Sequence, residues 1–169
     1  MTEINAKWYV LRVRPRHEKA IAQRLSEKYE VFLPLYLRMS QWSDRVKKIE
    51  TPLFSGYLFI HININQKYYV LEEQGVSSFV QFAGKPAIIH DSELMAIRLM
   101  LENVASLKVT DGYSYKKGES VKITQGVFAG AEGKVELTKN KARLFVAIEQ
   151  LGKIISIEID QKSLKKLRC

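Results

Sequence analysis

The sequence predicts a mixed α+β protein of two units: an α/β sandwich, with an antiparallel sheet flanked by helices, and behind it a small β-barrel. Three observations lead there. The front of the chain mixes period-2 strands with amphipathic helices. Four β-rich stretches separated by short turns follow from residue 120 onward. Between the two patterns, SLKVTDGYSYKKG (106 to 118) is polar and glycine-marked. These features put the first domain at 1–108, a linker at 109–115 and the second domain at 116–169.

The first element, WYVLRVR (8 to 14), alternates as a strand, with Tyr9, Leu11 and Val13 on one face. Pro15 stops it, since a proline cannot donate to a ladder. RHEKAIAQRLSEKY (16 to 29) then carries Ile21, Leu25 and Tyr29 at helical spacing, so it should lie on a sheet. VFLPLYL (31 to 37) reads as a second strand, and RMSQWSDRVKKIET (38 to 51) is polar and basic with one tryptophan. In PLFSGYLFIHI (52 to 62) the strand pattern returns. Leu58, Ile60 and Ile62 suit a helix layer, whereas Tyr57, Phe59 and His61 form an aromatic face without an equally clear partner. Left open, such a face is a protein-docking surface; covered by neighbouring loops, it is ordinary core. NQKYYVLEEQ (65 to 74) reads as a short helix, and VSSFVQFAGKPAII (76 to 89) as a strand, a glycine turn and an extended segment. DSELMAIRLMLENV (91 to 104) has a capping Asp91 or Ser92 and an apolar stripe of Leu94, Ile97, Leu101 and Val104, so it reads as a helix.

In the second domain SVKIT (120 to 124), GKVELT (133 to 138), ARLFVAIE (142 to 149) and KIISIEI (153 to 159) suggest a barrel of about five strands, completed near the basic tail KSLKKLRC. GVFAGAEGKV (126 to 135) invites comparison with a phosphate loop. That loop requires a glycine where Phe128 stands, a hydroxyl where Val135 stands, and a helix afterwards. None is present. Gly126, Gly130 and Gly133 instead let the backbone turn or approach closely at a barrel corner, with Phe128 plugging the core.

Composition narrows the function. The 169 residues include 27 Lys and Arg against 18 Asp and Glu, a net charge of +9. The excess is uneven: +5 over residues 1–50, −2 over 51–112 and +6 over 113–169. Basic ends suit a polyanionic partner such as DNA or RNA, although solvated lysines also occur without one. The apolar runs are too short to cross a bilayer, and a single cysteine, Cys169, suits a reducing compartment. A cytoplasmic, monomeric protein is expected. His17, His61 and His90 are scattered, so no metal or other cofactor is expected. No nucleophile, base and orienting group can be assembled from the motifs, so the chain does not read as an enzyme.

GVFAGAEGKV followed by two more strands resembles the KOW motif. WYVLRVR, PLFSGYLFIHI and VSSFVQFAGKPAII, in that order, resemble the N-terminal domain of the NusG family of transcription elongation factors, and the likeness spans residues 8 to about 167. The resemblance implies an N-terminal domain that docks on the clamp helices of RNA polymerase beside the upstream DNA. It also implies an SH3-like KOW barrel that recruits a ribosomal protein or a termination factor. Phe54, Tyr57 and Phe59 match the family's aromatic strand, and Phe82 with Pro86 its FVxF-G-x-P segment; these five are the implied polymerase-binding residues. Arg14, Arg16 and His17 lie where some specialised members contact non-template DNA. Ser55 replaces the second proline of the usual PLFPGY, and Val127 replaces the proline of the usual GPF. Those departures weaken the likeness to the general housekeeping factor, and VSSFVQFAGKPAII looks more like the specialised, operon-specific antiterminators. A rival reading, a ribosomal or other RNA-binding KOW protein, explains the basic second domain but leaves the first idle.

Overall fold

A computed structural model describes residues 5–102, 107–111, 119–122, 132–138 and 141–159. It divides into two compact units, Met1–Ile89 and His90–Cys169.

The main sheet of the first unit contains β1 (Lys7–Val13), β2 (Glu30–Phe32), β5 (Tyr57–Ile62), β6 (Val76–Phe79) and β9 (Ile88–Ile89). Their order is β2-β5-β1-β6, with β9 also pairing β1. All pairings are antiparallel, and Tyr9, Leu11 and Val13 share a face with Leu58 and Ile60 as the alternation predicts. Helix α1 (Glu18–Ser26) lays Ile21, Ala22 and Leu25 on that face, and α2 (Lys67–Leu71) adds Val70. Removing these side chains from water is the main stabilising term of the unit, at roughly 1.5–3 kcal/mol for each large aliphatic. The expected helix from 16 starts two residues late because Arg16 has a left-handed φ of 68°, which no α-helical turn accommodates.

The expected strand 31–37 is in fact two. Pro34 interrupts the ladder after β2, and the chain re-enters extended structure as β3 (Leu35–Gln41). Among the described residues β3 pairs only with β4 (Val46–Pro52), in register from Leu35↔Pro52 to Gln41↔Val46, so the basic stretch 38–51 forms most of an independent ribbon. A second small hairpin joins β7 (Gln81–Phe82) to β8 (Lys85–Pro86) through Ala83 and Gly84, both at positive φ.

The second unit opens with α3 (Asp91–Leu101), which buries Leu94, Ala96, Ile97 and Met100 and packs beside the sheet. His90, rather than Asp91 or Ser92, holds the cap position: its backbone N–H donates to Glu93 Oε2 at 2.9 Å. Val104 of the expected stripe lies outside the described residues.

Five antiparallel strands follow: β10 (Lys108–Asp111), β11 (Glu119–Lys122), β12 (Glu132–Thr138), β13 (Lys141–Ile148) and β14 (Lys153–Ile159). Their order is β10-β14-β13-β12-β11. In β13, Ala142, Leu144, Val146 and Ile148 are buried alternately, and Ile154, Ile155 and Ile157 of β14 complete the core. The fifth strand is thus β10, taken from a segment that reads as boundary and linker. Residues 109–111 pair with β14 and are not free connection. Gly133 sits inside β12, where a Cβ would stand 2.3 Å from the carbonyl oxygen of Phe145, so only glycine fits. Gly126, Phe128 and Gly130, the other expected barrel-corner residues, lie outside the described residues, as do Val127 and the basic tail. No helix among the described residues is long and apolar enough to cross a membrane.

Candidate interaction surface

Phe54 and Tyr57 frame the loop that leads into β5, Arg14, Arg16 and His17 follow the end of β1, and Phe82 and Pro86 lie on the separate β7–β8 hairpin. Gly56 turns the chain at φ 80°, in a region that side chains avoid. Its carbonyl accepts from the Val13 N–H at 2.9 Å, and its own N–H donates to Glu18 Oε1 at 2.8 Å. Glu18 is only 3% exposed, and Ser55 Oγ also donates to it at 3.4 Å. A buried carboxylate at the start of α1 therefore pins the loop to the helix, and a charge-assisted bond of this kind is about twice as strong as a neutral one. Leu53 N–H donates to the Pro34 carbonyl at 2.8 Å, which fixes the loop's other end. Residues 53–57 form a platform held by these bonds at both ends.

What the platform presents differs from the sequence expectation. Phe59 is fully buried and Phe54 is 2% exposed. Phe59 occupies a central strand, opposite Val10 on β1 and Phe32 on β2. The Phe32 ring stacks on it at 5.9 Å and the Phe54 ring meets it edge-on at 6.1 Å. Trp8 stacks on His61 at 5.1 Å further along. Most of the expected open aromatic face is therefore core, because aromatic neighbours in register bury one another at little polar cost. Phe54 and Phe59 cannot touch a visitor directly in this conformation.

Tyr57 remains half-buried at the end of that face. It stands in register with Arg12 and Ser78 across β5, β1 and β6. The Arg12 guanidinium lies 5.8 Å from its ring centroid and donates to its hydroxyl at 3.3 Å. A cation over an amphipathic ring at the end of two central strands is a ready contact for an acidic or aromatic partner surface. Phe82, in the β7–β8 hairpin, is 46% exposed, and Pro86 on β8 is half-buried. Arg14, Arg16 and His17 are all exposed; the Arg14 backbone is held by the Gly75 carbonyl at 2.8 Å, and His17 Nδ1 lies 3.2 Å from the Pro15 carbonyl oxygen. Arg16, at positive φ, projects from a constrained corner. Sequence reasoning missed Arg12 and Glu18. An acidic residue in a first helical turn suggests dipole compensation, and nothing in the sequence reveals its bond to Gly56, 38 positions away.

No group of three or more His, Cys, Asp or Glu side chains able to hold a metal occurs among the described residues. Two groups have shifted acidities. Burial pushes the Tyr9 hydroxyl up, and burial also pushes the Glu93 carboxyl up, against the lowering effect of its bond from the His90 backbone.

The transcription termination factor NusG family model matches residues 6–98, more than half of the chain. The chain belongs to the NusG family. NusG termination/antitermination proteins of Rickettsia bellii and Vibrio parahaemolyticus are each 28% identical to it, over 95% of this chain and 90% and 96% of theirs. That of Staphylococcus carnosus is 25% identical over 98% of both chains. A solved structure described as domain interaction in Thermotoga maritima NusG covers 98% of the chain with a TM-score of 0.52 at 18% identity, a likeness of fold. The protein is a NusG-like transcription termination/antitermination factor. Within this NusG-type first unit, the serine that stands where the family resemblance predicts proline adds a side-chain bond to Glu18, so the turn gains a polar tether in place of a ring constraint.

Proposed function

We propose that this chain binds RNA polymerase through its first unit, at the clamp helices, and promotes processive transcription of specific long operons. The observation that carries the reading is the hydrogen-bonded 53–57 platform, on which buried Glu18 holds Gly56 and Tyr57 stands half-exposed beside Arg12. Phe54 and Phe59 act beneath the surface as support, whereas Tyr57, Phe82 and Pro86 make the contact. Arg14, Arg16 and His17 face non-template DNA. The operon-specific part of the reading rests on the segment VSSFVQFAGKPAII (76 to 89), with Ser55 and Val127 standing where this sequence leaves the general factor's motifs.

The mechanism is non-catalytic. A ligand that prefers the closed, elongating form of a polymerase shifts its population only by the difference in affinity for the two forms. A preference of about 1.4 kcal/mol changes the ratio tenfold, so one half-buried tyrosine and one exposed phenylalanine are an adequate energetic source. Binding of the full chain to a purified elongation complex tests this. Tyr57→Ala with Phe82→Ala should weaken it at least about tenfold without loss of secondary structure. Unchanged affinity would remove the platform from the interface. A transcript profile with and without the protein separates an operon-specific from a general role.

A further inference from the structure

The β3–β4 ribbon is a sheet of its own, so among the described residues each strand has one backbone edge without a ladder partner. The Trp42 N–H donates to the Arg45 carbonyl at 2.9 Å at the tip, and the Leu53 N–H donates to the Pro34 carbonyl at 2.8 Å at the root. In an antiparallel ladder, pairs that exchange backbone bonds alternate with pairs that do not. Counted inward from either end, Tyr36↔Thr51, Arg38↔Ile49 and Ser40↔Lys47 fall on bonded pairs, whereas Leu37↔Glu50, Met39↔Lys48 and Gln41↔Val46 do not. The N–H and C=O groups of Leu37, Met39 and Gln41 therefore point outward from β3, and those of Val46, Lys48 and Glu50 point outward from β4.

The two edges are defended differently. Lys48 stands in the middle of the β4 edge with Lys47 beside it, and Glu50 is already engaged by Lys19 Nζ at 2.9 Å. Lysine at such a place guards an edge against pairing with another chain. The β3 edge lacks that guard, because the residues whose backbone groups point outward, Leu37, Met39 and Gln41, are all uncharged. Leu37 and Met39 are 55% and 61% exposed, Gln41 is exposed, and Trp42 at the tip is 58% exposed. An open, apolar strand edge of this kind is a template for a further strand.

We propose that the β3 edge takes a second copy of this chain, paired antiparallel about a two-fold axis at Met39. What singles out that occupant is the self-complementarity of the edge. Pairing centred on Met39 sets it against its own symmetry mate, Leu37 against Gln41 of the second copy and Arg38 against Ser40 of the second copy, so no like charges meet. One step further out, Tyr36 meets Trp42 of the second copy on each side of the axis, and aromatic cross-strand pairs of this kind are stabilising. The open tryptophan thereby gains cover. The same operation on the β4 edge would set Lys48 against Lys48 of the second copy, which like-charge repulsion disfavours. A two-fold contact closes at two copies, so it makes a dimer and not a fibre. With about six inter-chain backbone bonds and a few side-chain pairs the interface is small, and the dimer belongs to the weak, reversible class. The pairing uses no residue of the 53–57 platform and is read on the free chain, so its outcome stands apart from polymerase binding.

Sedimentation of the full chain from about 10 μM to about 1 mM tests the pairing. The apparent mass should rise toward twice that of one chain, and Trp42 emission should shift with it, since Trp8 is 7% exposed and already covered. Because each copy carries a net charge of +9, added salt should strengthen the association by screening the repulsion between copies. Met39→Lys puts two lysines face to face at the axis and should weaken association about tenfold or more, and Met39→Glu should do the same with two carboxylates. Mixed together, the two variants should associate again, because unlike charges then meet at the axis. Met39 is exposed, so both variants should keep the parent circular dichroism spectrum. The proposal is overturned if the parent stays monomeric at about 1 mM, if Met39→Lys associates as the parent does, or if the lysine and glutamate variants remain apart when mixed.

Discussion

Phe59→Ala should act as a stability mutation and not as an interface mutation. The ring is fully buried in the middle of the sheet, flanked in register by Val10 and Phe32 and capped by Phe54. Truncating a buried phenylalanine costs about 3–5 kcal/mol. The ring also pairs with Phe32 and Phe54, and each such aromatic pairing adds about 0.5–1.5 kcal/mol beyond area, which places the cost toward the upper end. With a urea m-value of about 1–3 kcal/mol/M for a small unit, a loss of ~4 kcal/mol moves the midpoint down by roughly 2 M. Trp8 emission reports it in a Trp42→Phe background, because Trp8 lies on β1 and stacks on His61 two positions along the strand from Phe59. Phe59→Leu, which keeps most of the volume, should recover most of the loss. Tyr57→Ala in the same assay should cost far less, since Tyr57 already meets solvent. A Phe59→Ala midpoint within about 0.3 M of the parent would refute the burial argument and make Phe59 a contact residue again.

Three further outcomes follow from the geometry. Glu18→Ala leaves the Gly56 N–H buried without its acceptor and should destabilise the first unit by about 1–3 kcal/mol, and it should weaken polymerase binding even though Glu18 is itself hidden. Gly133→Ala forces a Cβ against the Phe145 carbonyl and should cost the second unit about 1–3 kcal/mol or more, seen in its thermal unfolding. Glu93, whose carboxyl is raised by burial, binds its proton more tightly folded than unfolded. Its contribution is therefore full below the ordinary glutamate range and lost as pH rises through the elevated folded value. Glu93→Gln should accordingly stabilise the chain at pH 7 and lose that advantage in acid; an advantage that grows in acid would reverse the assigned sign.

The elements that can be read from sequence are those with one wet and one dry face. α1 and β13 show a period because burial imposes one, as Ile21 with Leu25 and Leu144 with Val146 record, whereas β1 and β5 are read from near-continuous apolar runs, being buried on both faces from Trp8 to Leu11 and from Leu58 to Ile60. The β3–β4 ribbon is illegible as strand for the opposite reason: most of it is exposed on both faces, so no alternation is selected. β10 is four residues long and mostly exposed, and only its pairing with β14 reveals it. At the candidate surface, the aromatic composition of 54–59 is plain, but which rings stay open is not. That is decided by Phe32, whose position opposite Phe59 is a tertiary fact. The loop's anchor at Glu18 is likewise a long-range pairing with no local signature.

The pause lifetime of purified RNA polymerase, measured with the full chain and with its Tyr57→Ala/Phe82→Ala variant, tests the central claim most directly. The account predicts shorter pauses with the parent chain and parent-free lifetimes with the variant at equal concentration. Pauses untouched by the parent, or shortened equally by both proteins, would contradict it.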